Sequence, residues 1–86
     1  MHELSLALEV CRLVEQNVEP GAAPRLRTVA VEVGDQANIE IENFRFCLEA
    51  LLGAPPFARA TPALIVQPGS DLRLAYLEVD DDSPDH

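Results

Sequence analysis

Clustered positive charge is the first thing missing from this chain. Six Lys and Arg residues stand against fifteen Asp and Glu, a formal net charge of −9. Nucleic acid and anionic membrane surfaces are gripped by grouped Lys and Arg, so this balance argues against both as partners. A cationic protein surface or metal cations suit it better. No run of about 18 apolar residues exists, which excludes a membrane-spanning helix from the sequence. The start has neither the basic flank nor the apolar core of a secretory signal, so a cytoplasmic location is expected. Cysteine is scarce: Cys11 and Cys47 are too far apart for a CxxC zinc knuckle, and both read as buried free thiols on helical apolar stripes. There is no GxSxG elbow and no glycine-rich phosphate loop, and the only histidines are His2 and His86. With its carboxylates scattered over solvated faces, the chain is expected not to be an enzyme.

What is present is enough for one small domain. Eighty-six residues at 48% apolar support a single packed core. Residues 3 to 18 carry Leu4, Ala7, Leu8, Cys11, Val14 and Val18 at spacings of three and four, the stripe of an amphipathic helix. Leu6, Val10 and Leu13 widen the apolar arc, so a second surface of this helix is a candidate for contact. After the breaker "EPGAAP", the stretch "RLRTVAVEVG" alternates as a strand, with Arg27, Val29, Val31 and Val33 on one face. Leu26, Thr28, Ala30 and Glu32 take the other face, and Gly34 ends the strand. "DQAN" is a polar connection to a second helix from Glu40 to Leu52, whose buried stripe is Phe44, Cys47, Leu48 and Leu51. Gly53 is placed to cap it in the left-handed conformation, and Pro55 and Pro56 forbid its continuation. Two strand-like runs, Ala63 to Val66 and Leu72 to Val79, flank "QPGS" and read as a β-hairpin. The expected fold is α+β, in the order helix, strand, helix, strand, strand, with both helices on one face of a three-stranded sheet. Residues 1–79 make the domain, and 80–86 a charged, frayed tail.

The chemistry concentrates at the start. A free amine on Met1 can chelate a divalent metal together with the backbone nitrogen of His2. The His2 imidazole adds a further nitrogen, and the backbone nitrogen of Glu3 completes four. An all-nitrogen planar set suits Ni(II) or Cu(II), whereas Zn(II) favours a tetrahedral site. The plain alternative for Glu3, and for Glu40 at the second helix, is an acidic residue favoured by the helix dipole.

"MHELSLALEVCRLVEQ" resembles the opening of the HypA/HybF family of nickel metallochaperones, which begin Met-His-Glu and continue into an amphipathic helix. The likeness extends through "VAVEVGDQANIEIENFRFCLEALL" and resumes at "SDLRLAYLEVDD". It implies nickel delivery during maturation of NiFe hydrogenases and, in some organisms, urease, with Ni(II) held by Met1, His2 and Glu3. It also places Glu40 where an acidic side chain approaches that site. The family carries a zinc domain with two CxxC pairs between its last two strands, where this sequence has only "QPGS", so no structural zinc is expected. A tight turn between neighbouring strands closes that gap in this reading.

Two functions are compatible with these residues. In the first, the protein holds Ni(II) at its amino terminus and passes it to a hydrogenase large subunit or a maturation factor. In the second, it is a metal-free adaptor or assembly chaperone that docks on a hydrogenase-like subunit or its maturation partner. Pairing of an exposed edge strand between two copies, giving a homodimer, is compatible with either.

Overall fold

The computed structural model describes residues 2–80. Helix α1 (His2–Asn17) leads through a short 3-10 turn at Ala23–Arg25 into strand β1 (Leu26–Gly34). Helix α2 (Ile41–Leu52) follows, then strands β2 (Thr61–Gln67) and β3 (Leu72–Val79). The architecture is the expected α+β one. Among the described residues no helix is long and apolar enough to cross a membrane.

The hairpin is not formed. The strands lie in the order β2-β1-β3, with β2 parallel and β3 antiparallel to β1, so the last two strands are not neighbours. Parallel pairing needs a crossover, and α2 supplies it between β1 and β2. The stretch from Pro68 to Asp71 therefore spans the end of β1 instead of folding back on itself. It is tied there by Gly34 N–H donating to Asp71 O (2.8 Å), Asp35 N–H to Gln67 O (2.7 Å) and Gln36 N–H to Gly69 O (2.7 Å). This passage explains Gly34. A Cβ at that position would stand within 3 Å of the Gly69 carbonyl and the Ser70 nitrogen. Gly34 is there because another stretch of backbone crosses it.

Strand β1, central in the sheet, supplies Val29, Val31 and Val33, each at most 1% exposed, to the core. Their partners Leu77, Leu74 and Leu72 on β3 pack against the same cluster. Two irregularities in the β1–β3 ladder change the faces read from simple alternation. One falls at Arg27, so Leu26 turns inward and is fully buried, while Arg27 points out and pairs with Asp80 at 3.0 Å. A bulge of this kind inserts one residue and shifts the alternation on one side of it.

The helices cover the valine face. On α2, Phe44, Leu48 and Leu52 are fully buried, and Cys47 and Leu51 pack at the margin. Gly53 follows with φ −89°, so α2 does not end on a left-handed glycine. On α1 the buried residues are Glu3, Ala7, Val10, Cys11 and Val14, a stripe of helical period rotated from the expected one. Leu4 and Leu8 are half exposed as a result. The rotation places Glu3 against the start of α2, where a hydrogen bond awaits it. Of the tail 80–86, only Asp80 lies within the described residues; its N–H donates to Arg25 O (2.8 Å).

Candidate metal centre

The first turn of α1, the end of β1 and the start of α2 meet at one corner. Residues 35–40 form its floor, leaving β1 through Asp35 and reaching α2 at Glu40. Asn38 takes φ +61°, a left-handed conformation that Asn tolerates better than most side chains. Glu40 is the N-cap of α2, its side chain accepting from Asn43 N–H at 3.2 Å. An open depression results, lined by His2, Glu3, Asp35, Asn38, Ile39 and Glu40.

His2, the first residue of α1, is exposed. Glu3, one residue on, is 9% exposed, and its Oε2 accepts from the Glu40 backbone N–H at 3.0 Å. That N–H, then Glu3's own N–H, hold the carboxyl below its ordinary range against the opposing effect of burial, and the adjacent His2 lowers it further. Glu3 is therefore ionised near neutral pH. Asp35 Oδ1 accepts from Gly69 N–H at 3.2 Å. Each of the three carboxylates at this corner thus spends an oxygen on a backbone N–H.

Among the described residues no group of three or more His, Cys, Asp or Glu is placed to hold a metal ion. A side-chain cage is not what this corner offers. It offers one exposed imidazole at a helix start, where the first backbone N–H groups have no intrahelical acceptor. Met1 and His86 lie outside the described residues. Cys11 and Cys47 are free thiols away from the depression; burial pushes the Cys11 thiol up to about 11, with Glu15 adding to it. Asp35 and Asn38 were not singled out from the sequence. The signal available was the polar link "DQAN" directly after a strand-ending glycine, a place where loops carry function.

Comparison with known proteins bears on the chain as a whole. Residues 1–79 match the family model described as hydrogenase/urease nickel incorporation, metallochaperone, HypA. The chain is 36% identical over 70 residues to the hydrogenase maturation factor HypA of Dechloromonas aromatica (strain RCB), covering 81% of this chain and 62% of that protein. It is 40% identical over 52 residues to HypA of Azoarcus sp. (strain BH72), covering 60% of this chain and 46% of that protein. HypA of Bradyrhizobium sp. (strain ORS 278) is 33% identical over 70 residues, again 81% of this chain and 62% of the relative. The aligned segments thus span less than two thirds of the length of these curated relatives.

Proposed function

The chain belongs to the HypA family, and from that premise we propose that it is a nickel-binding accessory protein in the maturation of a nickel enzyme, a NiFe hydrogenase foremost. It carries Ni(II) as cargo and performs no catalysis. The nickel is held by the amine of Met1, the backbone nitrogens of His2 and Glu3, and the imidazole of His2. The observation that carries the reading is the exposed His2 at the open start of α1, beside a depression whose carboxylates are already engaged by backbone N–H groups. Nickel(II) displaces amide protons and favours planar nitrogen sets, the donor type that Met1, His2 and Glu3 supply in this proposal. An exposed position suits transfer, because a cargo that must leave needs a route out. The recipient is a hydrogenase large subunit or another maturation factor, met through protein–protein contact in the cytoplasm.

Calorimetric titration with Ni(II) tests the site. Protein with an unblocked Met1 amine is expected to bind one Ni(II) per chain. Acetylating that amine, or His2→Ala, is expected to abolish stoichiometric binding. Equal affinity in all three rejects the site.

A second reading is favoured by the apolar surface of α1. Leu4 and Leu8 stand half exposed, and Leu8 borders a cleft with Leu51, Ala54 and Phe57. A partner seated there makes the protein a docking adaptor whose interaction does not depend on nickel. Capture of a hydrogenase large subunit that survives His2→Ala supports this reading, and loss of capture in that variant removes it.

A further inference from the structure

Glu3 is the one buried charged residue among those described, yet it has no Arg or Lys partner there. What it has is the Glu40 N–H. Glu3 sits in the first turn of α1, and Glu40 caps α2, so the carboxylate lies where two helix starts converge. Both macrodipoles favour negative charge at that point.

The link 35–40 shows what this bond accomplishes. Its near end is fastened to the sheet through Asp35 N–H to Gln67 O, Gln36 N–H to Gly69 O, and Ala37 N–H to Gly34 O at 3.0 Å. Beyond Ala37 the chain turns through the left-handed Asn38. The far end is fastened to α1 by the hydrogen bond from Glu40 to Glu3. Oε2 is the oxygen committed to that part-buried N–H; giving Oε2 over to a metal would leave the N–H without its acceptor, and an unmade buried hydrogen bond is costly.

We propose that Glu3 is a positioning residue: its carboxylate latches residues 38–40 beside His2, and is not itself a nickel ligand. The latch rests on the nickel reading only for its consequence, the correct placing of the wall next to the N-terminal nitrogens. Its existence is independent of any metal. Partners that orient a metal site without touching the metal are worth about 10–100-fold in affinity when removed.

The experiment compares Glu3→Ala with Glu3→Gln, whose amide oxygen still accepts a hydrogen bond. Val14→Ala, a core truncation far from the latch, controls for general loss of stability. Amide hydrogen exchange at Glu40 is read first, in metal-free protein. Protection is expected in the native chain, Glu3→Gln and Val14→Ala, and loss of it in Glu3→Ala. Ni(II) titration follows on the same samples. Affinity is expected to fall about tenfold or more in Glu3→Ala and to stay near native in Glu3→Gln and Val14→Ala. Undiminished protection at Glu40 in Glu3→Ala overturns the latch. So does a loss of nickel affinity in Glu3→Gln equal to that in Glu3→Ala while Glu40 stays protected, because the carboxylate is then acting on the metal. If the native protein takes up no nickel, the cargo reading falls, and the latch is decided by the Glu40 amide alone.

Discussion

In the core, Phe44, Leu48, Leu52 and the valines of β1 are removed from solvent and form one apolar cluster. In the corner beside His2, three carboxylates each take a backbone N–H, two donated from the start of α2 and one from Gly69. Burial is non-directional and roughly proportional to area, so the core is set by size and pattern. Hydrogen bonds are directional, and a small displacement breaks them. The first region is robust in shape and sensitive in energy. The second contributes less to stability, yet its arrangement depends on single atoms.

The largest effect belongs to the core. Phe44→Ala is expected to lower stability by about 3–5 kcal/mol, seen as a fall in the urea midpoint, because a fully buried ring is lost and its cavity only partly collapses. Molecules that remain folded should bind Ni(II) with native stoichiometry. A loss of binding out of proportion to unfolding would show that the two regions are not separable.

Gly34→Ala acts at their junction. Forcing a Cβ against the crossing backbone of Gly69 and Ser70 is expected to cost about 1–3 kcal/mol or more, measured by thermal unfolding. Unlike the core truncation, it should also deprotect the Gln36 amide, which donates to Gly69 O across the same contact.

A smaller effect separates the regions by pH. Glu3 is held below its ordinary value of 4.5, chiefly by the Glu40 N–H. A lowered folded-state pKa means the unfolded chain takes up the proton first as acid is added. The contribution of Glu3 to stability is therefore fully present above about pH 4.5 and is lost as pH falls through the lower folded-state value. The difference in urea midpoint between the native chain and Glu3→Ala should be largest at neutral pH and shrink in acid. A difference that does not change with pH would remove the charged carboxylate from the account.

The thiols give the mildest contrast. Cys11 is buried, with its thiol pushed up to about 11, whereas Cys47 lies half-buried at the margin of α2. Only the thiolate is nucleophilic, so a thiol reagent at pH 8 should modify Cys47 first, as read by peptide mapping. Prior modification of Cys11 would place it outside the core.

The same division explains what could be read from the sequence. Helix period and β-branched alternation located both helices and all three strands, because those elements are built by burial. The hairpin expected of the last two strands does not form, since "QPGS" is as competent to cross the end of a strand as to turn back. Local turn chemistry does not carry that choice; the glycine at position 34, sized for a crossing backbone, is where it is recorded. The exposure of Leu4 and burial of Glu3 escaped because the partner of Glu3, the Glu40 N–H, is distant in sequence. His2 stood out as an unusual residue at a helix start, and the structure leaves it exposed at the depression. Asp35 and Asn38 were legible only as a polar link.

The central claim is that Ni(II) is held by nitrogens at the start of the chain. The most direct measurement is the absorption and proton NMR spectrum of protein with an unblocked Met1 amine, titrated with one equivalent of Ni(II). The account predicts the yellow band of planar, diamagnetic nickel, sharp resonances throughout, and loss of the band in His2→Ala. A pale, paramagnetically broadened spectrum, or a yellow band unaltered by His2→Ala, would contradict it.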